Sequence, residues 1–244
     1  MLAIGQASHA WISGQLARAW GNQRFGALEP CEEVCLAAEQ HDVGMASWDV
    51  SPTRNPDTGL PLSFTEMPIG THLELWSQAP QRLLSQSSYA ALLVSMHGMR
   101  LYQQRDLDAL AQDEAERVRT YLREQRELEE RLLASLRADP ASASAAVPDS
   151  EARNSDLIWT WDFLSLALCL DWAPTVVRGV PTATGPVEIE LSASSLHPWP
   201  FSSDVVKVHC EGKRLTGTFG TDRALALAFR SAPVETVAFE LRKA

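Results

Sequence analysis

Six side chains of the kinds that bind metal ions stand where the sequence gives them few polar neighbours. The stretch Ala37-Ala38-Glu39-Gln40-His41-Asp42-Val43-Gly44 closes an apolar run with an adjacent His-Asp pair. His9, His72, His97 and Asp162 lie at other positions read as buried, Asp162 within LIWTWDFLSLALCL and His97 within ALLVSMHGM. A polar group buried without a partner costs several kcal/mol, and an isolated buried charge far more. One metal site would partner Asp162 and His97 together. Each residue alone has a plainer reading: a hydrogen-bonded core histidine, an aspartate paired with an arginine, or a histidine at the surface end of a helix. The joint pattern favours metal, because four of the six histidines precede residue 100 and each falls on or beside a predicted helix. His197 and His209 lie in the strand-patterned region and read as structural.

The elements that must position these groups are mostly helical. Trp11, Ile12, Leu16, Ala19 and Trp20 recur at helical spacing after Ser8, and Gly21 ends that pattern. A second helix is expected over 31–41 and a third from about Thr71 to Ala79. The core helix 88–104 carries His97, a long amphipathic helix spans 105–137, and an apolar helix runs from Asn154 to Trp172 around Asp162. Between Ser47 and Thr71 the chain is dense in Pro, Gly, Asn, Asp and Ser, and a loop that long is expected to cover a site. From Val187 onward the pattern alternates, with strands expected at 187–191, 205–209, 216–219 and 234–241, and a short helix at 223–230. The predicted architecture is mainly α: a helical core over 1–180, with a flexible linker at 138–155, and a small antiparallel β subdomain over 181–244 packed on it.

The totals narrow the function. The 244 residues carry a formal charge of −10, and the only lysines are Lys207, Lys213 and Lys243. Such a chain is a poor non-specific binder of nucleic acid or anionic membrane, although one arginine or a metal can still dominate a local pocket. The apolar segment 157–177 is broken by Asp162, Asp171 and Pro174 and reads as a buried helix, not a membrane span. MLAIGQASHAW lacks the pattern of a signal peptide. Cys31, Cys35, Cys169 and Cys210 follow no disulfide or zinc-ribbon spacing and read as free thiols, so the expected compartment is the cytoplasm.

The ordered series His9, His41-Asp42, His72, His97 and Asp162 resembles the ligand order of the HD-domain superfamily of helical metal enzymes. The whole chain also resembles an uncharacterised bacterial family, the domain of unknown function 3891, through QASHAWISGQLARAWG, AAEQHDVGMASWDVSP, YAALLVSMHG, WDFLSLALC and HPWPF. The superfamily resemblance implies an HD-like helical bundle and a pair of metal ions bridged by Asp42. His9, His41 and Asp162 would complete one ion's shell, and His72 with His97 the other's. Mixed imidazole and carboxylate donors suit one or two divalent transition metals, iron, manganese, zinc or nickel, better than calcium.

Two departures from that superfamily stand out. The helical half has no lysine to clamp a phosphate, and no Gly-Tyr-Pro signature follows His97. Arg54, Asn55 and Arg100 are therefore the candidates for holding an anionic substrate, with Arg100 three residues beyond His97 on one helix face. A salt bridge to a surface acid is the plainer role for Arg100. Trp11, Trp48 and Trp76 could wall a pocket, and Asp49 and Asp57 could support ligands, although packing and turn chemistry explain them too. Three functions follow: a metal-dependent phosphohydrolase acting on a small phosphoester or nucleotide, with Asp42, Arg54 and Arg100 at its centre; an HD-type di-iron oxygenase; or a non-catalytic metal-binding or structural protein.

Overall fold

The computed structural model describes residues 1–243. Strand β1 (Leu2–Ile4) leads into α1 (Gln6–Ala19), followed by α2 (Cys31–Gln40), the single-turn α3 (Ala46–Asp49), α4 (Ile69–Leu83), α5 (Ser88–Gln103), α6 (Gln112–Ala138) and α7 (Pro148–Cys169). Then come β2 (Thr175–Val180), β3 (Val187–Ser192), β4 (Ser195–His197), β5 (Val205–Arg214), α8 (Asp222–Ser231) and β6 (Val234–Arg242). Helices dominate, and the strands form two small antiparallel sheets, in the orders β1-β5-β6 and β2-β3-β4. No helix among the described residues is long and apolar enough to cross a membrane.

The helices and both sheets share one core. Ile12 and Leu16 of α1, Val34 and Ala38 of α2, Leu92 and Leu93 of α5, and Leu157 and Trp161 of α7 are buried with Val177, Ile189, Leu191, Val206 and Val208 from the strands. In β5 the alternation puts Val206, Val208, Cys210 and Gly212 inward, as a half-buried strand requires. The first strand pairs with β5 in the register Leu2↔Arg214 to Ile4↔Gly212, so the start of the chain completes the sheet formed near its end. A second core cluster, with Met45, Leu73, Trp76, Met99, Tyr102, Val118 and Tyr121, joins α4, α5 and α6.

Several boundaries differ from the sequence expectations, each for a local reason. The first helix begins at Gln6 instead of being capped by Ser8, because Asp49 accepts the Gln6 and Ala7 amides at 2.9 and 2.8 Å. A carboxylate there satisfies two of the amides that a helix start leaves free and complements the helix dipole. The helix expected from Arg105 starts at Gln112, since Asp106 caps a separate turn at Leu107–Ala109. The stretch read as a hinge, 138–155, consists of turns that bury Ala145 and Ala146, and then the first turns of α7. Arg137 pins it by donating to the Ala146 carbonyl at 2.8 Å and to Glu151 at 3.0 Å. Residues 216–219 form no strand; there the Phe219 amide donates to the Gly59 carbonyl.

Candidate metal centre

Five of the six predicted ligands converge where α1, the end of α2, α5 and α7 meet. Two overlapping groups form, His9 with His41 and Asp42, and His41 with His97 and Asp162, and within each the donor atoms all lie within 4.8 Å of one another. The His9 Nε2 atom is 2.7 Å from Asp42 Oδ2. The His41 Nε2 atom is 3.6 Å from that same oxygen and 3.4 Å from Asp162 Oδ1. On the other side, His97 Nε2 is 3.4 Å from Asp162 Oδ2. Thus Asp162 is the carboxylate whose two oxygens face different histidines. It is also the member that reaches solvent, its side chain being 13% exposed against 5% or less for the other four.

The hydrogen bonds around the cluster place one proton on each of two histidines. His41 Nδ1 is 2.8 Å from the Ala38 carbonyl, which can only accept, so Nδ1 carries a proton and Nε2 is the nitrogen that faces the carboxylates. That Nε2 has no hydrogen-bond partner although it is buried. His9 is set the same way. Ser165 Oγ donates to the Asp162 carbonyl at 2.8 Å and so accepts from His9 Nδ1 at 2.9 Å. His9 Nε2 is then turned toward Asp42, and since a carboxylate only accepts, a proton or a metal ion must lie between them. An outer ring N–H held by a carbonyl or hydroxyl is also how metal-bound histidines are oriented.

Electrostatics point the same way. Among the described residues no lysine or arginine pairs with Asp42 or Asp162; their ion-pair partners are His9, His41 and His97. Burial opposes charge on both carboxyls, yet the histidines outweigh it and hold Asp42 low and Asp162 well below the usual carboxylate range. Burial likewise opposes a charge on His41, but Asp42 and Asp162 push it up to about 9. Burial keeps His97 below the ordinary histidine value. The centre thus attracts positive charge strongly, and a divalent ion competes for it by displacing protons. The donor set of imidazoles and carboxylates fits a transition metal.

The sixth predicted ligand stands apart. His72 lies outside both groups, with Nδ1 bonded to the Tyr102 hydroxyl and Nε2 accepting from Trp76 Nε1 at 3.1 Å. Burial lowers its pKa to about 4, so it is neutral, with both ring nitrogens engaged. Nor does the structure bring Arg54 to the cluster, because its guanidinium donates to the Asn55 and Pro56 carbonyls within its own loop. Asn55 organises that loop, accepting the Asp57 and Thr58 amides. Arg100 is tied to the centre indirectly. It bonds Asp156 at 2.6 Å and lies 4.6 Å over the ring of Trp159, which packs 5.6 Å from His97. Trp76 packs 5.5 Å from the His97 ring, whereas Trp11 is exposed.

The sequence reading missed Ser13, Ser165 and Trp159. Helical spacing carried the signal: Ser13 follows His9 by four residues, Ser165 follows Asp162 by three, and Trp159 precedes Asp162 by three. The loop after Gly44 does cover something. Trp48, Asp49, Pro52, Pro61, Leu62 and Phe64 wall a partly open cavity of about 310 Å³ that reaches His9 and is also lined by α7 and Phe229.

Fold and site together define a mainly helical protein with two small antiparallel sheets and a buried histidine–aspartate cluster able to hold a metal ion. Residues 1–217 match the family described as "Protein of unknown function (DUF3891)", and the chain belongs to that family. No curated protein and no solved structure matches it.

Proposed function

We propose that His9, His41, Asp42 and Asp162 hold a divalent transition metal in an HD-like centre, with His97 and the second Asp162 oxygen available to another ion, and that the protein is a hydrolase of small phosphoesters or nucleotides. The observation that carries this reading is the unpartnered Nε2 of His41, buried and facing two carboxylates with its other nitrogen held by Ala38. A metal bound there would supply Lewis acidity to water and to a phosphoryl oxygen. The chain's own residues do the rest. Ser165 and Ala38 orient the two imidazoles, Asp162 opens the centre to solvent, and Trp76 and Trp159 exclude water around His97. In this reading Arg100 is the cation that meets a phosphoryl group, since it is half-buried and tied through Trp159 to His97.

A di-iron oxygenase is the second reading, favoured by the cavity beside His9, whose lining contains no lysine or arginine. Protein purified without air separates the two by metal analysis, absorption spectra and phosphate release from nucleotides and aryl phosphates. A redox-inert metal with phosphate release abolished in Asp42→Ala supports the hydrolase. Two irons per chain, with spectra that change on admitting dioxygen and no phosphate release, would replace it with the oxygenase. Protein that carries no metal, and in which His41→Ala costs no stability, sinks both.

A further inference from the structure

We propose that the cavity beside His9 is a binding site for an uncharged, largely apolar small molecule, or for the apolar body of a larger substrate. Its walls come from four separate parts of the chain: β1 and the start of α1, the loop after α3, the last turns of α7, and α8 through Phe229. Ile4, Leu62, Phe64, Leu166, Leu170 and Phe229 give it an apolar surface.

The charged and titratable groups in the lining are few, and each already makes a hydrogen bond. Both oxygens of Asp49 accept α1 amides. The nitrogens of His9 are taken by Ser165 and Asp42. The Met1 amino group, at the rim, donates one of its protons to the Leu215 carbonyl at 2.9 Å. No lysine or arginine side chain lines the space. A hydrocarbon or aromatic body would bury its surface against the apolar walls, whereas a phosphate or carboxylate would lose hydration against them. A volume of about 310 Å³ lies at the small end of ligand pockets and suits a body of one or two rings.

The place of this cavity beside a ligand to the proposed metal makes it the site for the non-reacting part of a substrate. That step rests on the metal-centre reading, but the binding itself does not. The two are separable in one experiment on the full chain: calorimetric titration with indole, with metal content measured on the same sample, and competition by phenol or by inorganic phosphate. Indole should bind once per chain, phenol should displace it, and phosphate should not. Leu62→Arg, which adds a cation in a loop, and Leu166→Trp, which fills the space, should each weaken indole by at least about tenfold with the helical circular dichroism unchanged. The proposal is overturned if parent protein does not bind indole, if phosphate displaces it, or if folded Leu62→Arg and Leu166→Trp both bind within about twofold of the parent. Indole binding to metal-free protein upholds the cavity and counts against the metal centre; metal-loaded protein indifferent to indole does the reverse.

Discussion

At the scale of the residue, the cluster is legible because two of its three imidazoles have one nitrogen assigned by their surroundings. Ala38 takes a proton of His41 and Ser165 one of His9, so their Nε2 atoms converge on Asp42 and Asp162. His72 shows the contrast: with both nitrogens bonded to Tyr102 and Trp76, it behaves as a core histidine. His72→Ala should therefore leave the metal content of the purified protein unchanged. It should cost about 1–3 kcal/mol in denaturant unfolding, because it strips partners from Tyr102 and Trp76. Loss of metal from that variant would show that His72 turns into the centre as a ligand. The sequence could identify the six residue types but not this division among them. Whether a histidine at helical spacing meets a carboxylate or a tyrosine depends on how α4 sits on α5, which no local pattern encodes.

At the scale of the element, close helix approaches set the geometry. Gly44, two residues after Asp42, lies where α4 crosses; a Cβ there would fall on the Leu75 carbonyl oxygen and 3.2 Å from Ala79 Cβ. Gly44→Ala should push α4 away from the His-Asp turn and destabilise the fold by about 1–3 kcal/mol, with reduced metal content, as read by unfolding and elemental analysis. A stability unchanged within error would mean that the two segments are not in contact. Gly98 acts similarly beside His97, where a Cβ would meet the Trp76 ring at 2.7 Å.

A separate device joins α5 to α6. Ser95 Oγ reaches both Gln125 and Glu129 at 3.0 Å, and burial pushes the Glu129 carboxyl from 4.5 up to about 7. The folded chain holds that proton more tightly than the unfolded one, so its contribution is full below about pH 4.5 and is lost as pH rises through about 7. Glu129→Gln should flatten this part of the stability profile and raise stability at pH 8 by about 1–3 kcal/mol. Parallel pH profiles for parent and variant would exclude the role.

At the scale of the whole molecule, the helical character and the C-terminal strands were readable from the sequence pattern, because α6 and β5 each bury one regular face and α5 is an apolar run buried almost all round. The membership of β1 was not, since a strand of three residues has no period, and its pairing with β5 spans almost the full chain. Nor could alternation show that strands and helices share the main core cluster, which depends on long-range packing of Val177, Ile189 and Val206 with α1 and α7. The cavity wall joins β1 to Phe229 of α8, with a loop and the last turns of α7 completing it beside His9. The account stands on a metal ion at that junction, and anomalous X-ray diffraction at the iron, manganese, nickel and zinc edges, from crystals of protein purified without chelator, tests it most directly. An anomalous peak enclosed by His9, His41, Asp42 and Asp162 is expected. A map with only water among those four side chains, from metal-replete protein, would contradict it.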